Sequence, residues 1–238
     1  MHEEVLSGTL YIVSTPIGNL EDITYRAVKL LAQVDLIAAE DTRTTKVLLN
    51  HYNIHTPLVS YYSYNEERRI PDLITRLKSG ASVAVVSDAG TPGISDPAFR
   101  IIRRAIDEEI AVVSLPGPTA FLPALITSGL PIDEFVFGGF LPVKKGRQTM
   151  LASLAHERRT IILYESPHRL LRTLNDLQKY FGDREIAVAR ELTKKFEEIV
   201  RGKISFAIQH FTKNKIRGEF VLIVRGEGRG EKGDGIGN

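Results

Sequence analysis

Val83-Ala84-Val85-Val86-Ser87 runs directly into Asp88-Ala89-Gly90-Thr91-Pro92-Gly93-Ile94-Ser95-Asp96-Pro97. The first five residues read as a buried strand, short and largely β-branched. The ten that follow hold two glycines, two prolines and two aspartates, a dense turn signal. Asp96 is expected to cap the next helix, with Pro97 at its first position. Strand, loop and helix in this order form the first half of a βαβ unit.

Outward from this unit the same alternation recurs. Residues 9–13, 34–39 and 110–114 read as further strands. Residues 22–33 carry Ile23, Ala27, Leu30 and Leu31 at helical spacing, and residues 70–77 carry Ile70, Leu73, Ile74 and Leu77. This pattern predicts an α/β fold with a mainly parallel sheet covered on both faces. Pro116-Gly117-Pro118 is the strongest punctuation in the chain and marks a domain boundary. The expected division is 1–117, an N-terminal α/β domain, and 118–225, a C-terminal α/β domain. In the second half, residues 135–140, 160–164, 186–189, 203–208 and 219–225 read as strands, spaced closely enough for a mixed sheet. Residues 166–181 read as a helix capped by Ser166 and begun by Pro167. Residues 226–238, six of them glycine before the final Asn, are expected to form a flexible tail.

Composition removes several functional classes. Hydrophobic residues make up 43% and charged residues 25%, enough for a packed core. There is no cysteine, which excludes disulfides, thiolate metal sites and a cysteine nucleophile. No apolar run approaches ~18 residues and the N-terminus has no signal-peptide pattern, so a cytoplasmic location is expected. The net charge of +2 is too mild to announce nucleic-acid binding by itself. No GxGxxG follows a strand, no GxxxxGK[ST] or GxSxG occurs, and the six histidines show no metal-ligand spacing.

In open parallel sheets ligands bind beyond the carboxyl ends of strands. Four loops qualify. Ser14-Thr15-Pro16-Ile17-Gly18-Asn19 is a tight turn that either admits a ligand or only joins strand to helix. In Ser87–Pro97, Asp88 could accept hydrogen bonds from a ribose or an amino group, while Gly90 and Gly93 let backbone close on a cofactor. Pro116-Gly117-Pro118-Thr119-Ala120 either offers backbone amides or serves as a hinge. Tyr164-Glu165-Ser166-Pro167-His168-Arg169 gathers acid, base and cation at a helix start, and a lone histidine there is more often structural than catalytic.

These loops, in this order, resemble the tetrapyrrole methylase superfamily and, within it, the ribosomal RNA small subunit methyltransferase I branch. The resemblance spans residues ~8 to ~225 through GTLYIVSTPIGNLEDIT, IAAEDTRTT, SDAGTPGISDP, LPGPTA, LYESPHR, ARELTKKFEE and RGEFVLIV. It implies two α/β domains with S-adenosylmethionine in the interdomain cleft and a homodimer. It also implies methylation of the ribose 2′-hydroxyl of a cytidine in 16S ribosomal RNA of the small subunit, with no metal. Carried over by motif, the donor site includes Pro16, Asp88, Gly90, Thr91, Ile94, Thr119, Ala120, Tyr164, Glu165, Gly218, Glu219 and Phe220. Lys46 departs from the glycine expected there.

Transfer to a ribose hydroxyl is an in-line displacement, helped by a nearby base or cation. Glu40, Asp41, Arg43, Glu165, Arg190 and Glu191 are candidates. One carboxylate among Asp41, Glu165 and Glu191 is expected to take the proton while Arg43 holds the target phosphate. The alternative is that Arg43 and Arg190 merely pair with these acids. For RNA, Tyr64 and Arg68 in the Tyr61–Arg69 stretch mix aromatics with cations, and Lys144, Lys145 and Arg147 form a basic loop. Two rival readings share the fold: a methylase of tetrapyrroles or of a diphthamide-type side chain, and a non-enzymatic ribosome assembly factor.

Overall fold

The computed structural model describes residues 5–228. Of the expected glycine-rich tail, 229–238 lie outside the described residues. The chain divides into two compact units that part between Thr119 and Ala120.

Unit 1 holds a five-stranded sheet built from β1 (Thr9–Val13), β2 (Leu36–Ala39), β3 (Leu58–Ser60), β4 (Val83–Val86) and β5 (Ala111–Leu115). The strand order is β3-β2-β4-β1-β5, and every pairing is parallel. β1, β2 and β4 are buried along their whole length, as continuous apolar strands covered on both faces should be. On one face, α1 (Tyr25–Gln33) and α2 (Thr42–His51) bury Ala27, Leu30, Leu31, Leu48 and Leu49 against Tyr11, Val13, Ile37 and Ala84. On the other, α3 (Glu66–Lys78) and α4 (Phe99–Asp107) bury Leu73, Ile74, Leu77, Ile101 and Ala105 against Leu10, Ile12 and Val85. The connections leaving β1 and β4 therefore run over opposite faces, which makes their carboxyl ends the switch point where open α/β sheets bind ligands.

Unit 2 holds a mixed sheet of β6 (Phe135–Phe140), β7 (Thr160–Glu165), β8 (Glu185–Arg190), β9 (Glu198–Lys203) and β10 (Phe220–Val224), in the order β6-β7-β10-β8-β9. Only β6 and β7 pair in parallel. The β10–β7, β10–β8 and β8–β9 pairings are antiparallel, as the close spacing predicted. α5 (Phe121–Thr127), α6 (Arg147–Ala155), α7 (Leu170–Phe181) and α8 (Ile204–Lys213) complete the unit.

Several local readings need correction. Asp96 does not cap α4, whose N-cap is Ala98 with no side-chain bond. Ser95 adopts φ 72°, which turns the chain before the helix begins. Ser166 does not cap α7 either. Residues 166–169 form a turn closed by Arg169 N–H to Ser166 O (3.1 Å), the Ser166 amide donates to the Glu165 carboxylate (2.8 Å), and α7 begins behind Arg169 with no side-chain cap. Residues 204–208 are helix, not strand. Ile204, Ala207 and Phe211 bury one face of α8, and Asp183 receives both the amide and the hydroxyl of Ser205 in its first turn. α1 starts at Tyr25 behind a Thr24 cap, after a 3-10 turn at Leu20–Asp22. α3 starts at Glu66, four residues earlier than its apolar spacing suggests, and α6 gave no sequence signal.

Candidate functional site

Because the sheet of unit 1 is wholly parallel, the loops after its five strands all emerge at one edge. Three are fastened together. Thr15 and Gly90 exchange backbone hydrogen bonds (2.9 and 3.0 Å), and the Thr15 hydroxyl donates to Ser87 O (3.0 Å). The hydroxyls of Ser14 and Thr91 stand 2.8 Å apart, and that of Thr91 donates to Pro118 O (2.9 Å). Gly90 sits at φ +85°, with Ile17, Pro118 O and Thr119 Cα around the place a Cβ would take. A Cβ on Gly117 would fall 2.6 Å from that of Ser14, so glycine is required by close approach alone. Pro16, Gly90, Thr91 and Thr119 are thus gathered into one pinned cluster. Ile94 closes the next turn by donating its amide to Thr91 O (3.1 Å).

Acids flank this cluster. The Asp41 amide donates to Asp88 Oδ1 (2.9 Å) and the Asp88 amide to Glu40 Oε2 (3.3 Å), which ties the ends of β2 and β4 together. Burial raises Glu40, and partial desolvation of its carboxylate raises Asp88. Asp96 is pushed up to about 7 by burial, with Glu40 and Asp88 adding like charge. Asp41 is different. It caps α2 through the Arg43 amide (2.8 Å) and grips the Arg43 guanidinium (2.6 and 3.1 Å), which holds its carboxyl at about 2. Sequence spacing did not reveal that Asp96 shares ground with Glu40 and Asp88. Only the fold of the 91–98 turn brings it there.

In unit 2 the expected residues are already committed. Glu165 is buried, accepts from the Ser166 amide and the Thr173 hydroxyl (2.5 Å), and forms an ion pair with the Arg169 guanidinium (3.2 Å). The Tyr164 ring packs edge-on against Phe137 (5.1 Å) and Phe140 (5.6 Å). Glu191, at φ 50°, accepts from Lys194 Nζ (2.9 Å) and from the Glu219 amide (3.1 Å), and Lys194 also reaches Glu219 (2.9 Å). Lys194 and the Glu219 amide hold Glu191 below the usual carboxylate range against its own burial. Lys194 was missed in the sequence, although it lies inside the ARELTKKFEE block. Gly218 has φ +86° and leaves no room for a Cβ beside Glu191. The Phe220 side chain belongs to the core against Phe211, so only its backbone remains for a ligand. Arg43 is held by Asp41, one of the candidate acids, whereas Arg190 is occupied by Arg217 O (2.8 Å) and by Glu198 (3.4 Å), which was not among them.

Arg147 is corrected as an RNA contact. It is 3% exposed, and its guanidinium bonds Asp176 (2.8 Å), the Thr173 hydroxyl (2.8 Å) and Pro142 O (3.2 Å). Lys144 and Lys145, on the same loop, remain exposed, as do Tyr64 and Arg68. Among the described residues no group of three or more His, Asp or Glu could hold a metal ion, and no helix is long and apolar enough to cross a membrane.

Comparison with known proteins identifies this architecture. The family described as tetrapyrrole (corrin/porphyrin) methylases matches residues 9–207. The chain is similar in structure to cobalt precorrin-4 methyltransferase (TM-score 0.68, 20% identity, covering 92% of this chain and 95% of that one). It is also similar to diphthine synthase (TM-score 0.72, 12% identity, covering 91% and 90%), and at such identities the likeness shows the fold alone. In sequence it is 54% identical over 221 residues to the ribosomal RNA small subunit methyltransferase I of Synechocystis, covering 92% of this chain and 79% of that protein. The protein of that name from Thermotoga maritima is 51% identical, covering 92% and 99%. That from Bacillus subtilis is 52% identical, covering 94% and 77%. Half of all positions shared across nine-tenths of the chain place it with these relatives: the chain belongs to the ribosomal RNA small subunit methyltransferase I family, within the tetrapyrrole methylases.

Proposed function

We propose that this chain transfers a methyl group from S-adenosylmethionine to the ribose 2′-hydroxyl of a cytidine in 16S ribosomal RNA, acting on the small ribosomal subunit. The observation that carries this reading is the identity of about half the residues, over nearly the full chain, with relatives named for that RNA. A cytoplasmic location and a homodimer are part of the same proposal.

The donor is proposed to meet Pro16, Asp88, Gly90, Thr91, Ile94 and Thr119 in unit 1. In unit 2 its proposed contacts are Ala120, Tyr164 and the backbone of Gly218-Glu219-Phe220. S-adenosylmethionine carries a sulfonium and an ammonium. Carboxylates whose ionisation the free protein resists, as at Glu40, Asp88 and Asp96, are stabilised when such a cation arrives. The proton acceptor is proposed to be Glu40 rather than Asp41, Glu165 or Glu191. The last three are each locked to a cation, whereas Glu40 has no such partner among the described residues and burial raises it above the usual carboxylate range. Lys144, Lys145, Tyr64 and Arg68 supply the RNA contacts.

The test is incubation with labelled donor and small subunits lacking the modification, followed by mass mapping of the RNA. The expected product is one cytidine heavier by a methyl group on its ribose. Methyl transfer to a tetrapyrrole precursor instead, or donor binding without transfer, would overturn the reading. Glu40→Gln is expected to lower kcat by about 10²-fold, the usual scale for losing a proton acceptor.

A further inference from the structure

The β3–α3 turn follows the strand beside β2, and it is built to hold two tyrosines in solvent. Tyr61 is its anchor, 1% exposed, with its amide on Ala39 O (2.7 Å) and its hydroxyl on Glu66 (2.8 Å). Ser60 pairs with Ala39, so β3 ends beside the end of β2 and this turn leaves the sheet at the same edge as the Glu40–Asp41 turn. Asn65 then fixes the turn from within. Its Oδ1 accepts from the Tyr62 amide (2.8 Å), and its Nδ2 donates to Ser60 O (3.1 Å) and to the Ser60 hydroxyl (2.9 Å). The result is an edge-to-face pair, Tyr62 and Tyr64, with ring centroids 6.4 Å apart and an interplanar angle of 62°. Tyr64 is 96% exposed and Tyr62 41%. Arg68 stands exposed in the first turn of α3, its amide bonded back to Asn65 O (3.1 Å).

Two aromatic rings held in water by an ordered turn, beside a free-standing guanidinium, fit a ligand with flat faces and negative charge. We propose that Tyr62 and Tyr64 form a stacking platform for unpaired bases of the RNA next to the nucleotide being methylated, and that Asn65 is the residue that positions it. This rests on the proposed RNA substrate and adds how that RNA is held. A base stacks on each ring through its π-face, and Arg68 meets the phosphate between them. Departure from the same sheet edge as Glu40 and Asp41 keeps the bound bases on the side of the reacting sugar.

The chain has no tryptophan and eight tyrosines, so the share of emission quenching that belongs to Tyr62 and Tyr64 is read by comparison with a variant lacking both. A short single-stranded oligoribonucleotide should quench emission of the wild-type protein. Most of that quenching should vanish in Tyr62→Phe/Tyr64→Phe, because phenylalanine keeps the ring but removes the tyrosine signal. With small subunits as substrate, Tyr64→Ala should raise KM about tenfold, while Tyr64→Phe stays near wild type. The Kd for S-adenosylmethionine should not move in either. Asn65→Ala should raise KM similarly alone but add nothing in the Tyr62→Ala/Tyr64→Ala background, whereas a merely structural residue would add its own loss. Wild-type KM in Tyr64→Ala overturns the platform alone, and absence of ribose methylation by the wild-type protein overturns the proposed function instead. A raised KM with quenching that survives in the double phenylalanine variant also overturns the platform, because the contact then lies with a ribosomal protein.

Discussion

Asp96 shows how a residue read from the sequence as a helix cap can hold a different place in the fold. Its place before a proline suggested a cap, yet its carboxyl lies half-buried among Glu40, Asp88 and Ser87 and is pushed up to about 7. The direction of the linkage follows. Between about pH 4 and pH 7 the folded chain keeps a proton that the unfolded chain has released, so stability falls as pH rises through that window and levels off above it. Asp96→Asn removes the charge at every pH. Its melting temperature should exceed that of the parent at pH 8, and the difference should shrink toward zero near pH 4. Equal melting temperatures at pH 8 would show that this carboxyl ionises freely. Gly90 and Gly117 sit at the same scale, the first for its left-handed backbone and the second for the space Ser14 takes from it.

At the scale of elements, the helices decided most of what the sequence left open. Residues 204–208 alternate well enough to pass for a strand, but Ile204, Ala207 and Phe211 also satisfy a helical period, and the core of unit 2 selects the second pattern. The β7–α7 junction is set by Glu165, whose buried carboxylate organises Ser166, Arg169 and Thr173 around it. Arg147 joins that network from the start of α6 and fastens the loop that presents Lys144 and Lys145. Arg147→Met should therefore destabilise the fold by about 3 kcal/mol, the usual cost of breaking a buried ion pair. Its effect on the salt dependence of RNA binding should be smaller than that of Lys144→Ala/Lys145→Ala, measured by titration at several ionic strengths. A methionine variant of wild-type stability that bound RNA poorly would restore Arg147 as a direct contact.

Across the whole molecule, each unit has its own core. Leu141, Leu163, Leu174, Leu222 and Phe211 belong to one in unit 2, while the two faces of the unit 1 sheet are covered by separate sets of residues. Ala120–Asn238 expressed alone should fold, with a cooperative melt and near-ultraviolet dichroism from its packed aromatics. A broad melt and flat near-ultraviolet signal would mean that it needs unit 1 to pack. The alternation of strands and helices over the first half was legible because parallel strands buried on both faces read as unbroken apolar runs. The mixed character of the second sheet was legible from short strand spacing. Helix starts were less so, since a cap is decided by where a side chain finds its partner.

Sequence by itself determined the fold class and the family, because hydrophobic period and ordered motifs are local properties of the chain. Tertiary structure alone decided which charges are free. Arg147 and Glu191 look available in one dimension and are consumed by partners 29 and 28 positions away, and Glu165 by nearby residues that the chain folds back onto it. Asp96 becomes a strained acid only when burial and two distant carboxylates surround it. An ionisable group takes its character from the dielectric and the charges around it, and those are assembled only when the strands meet.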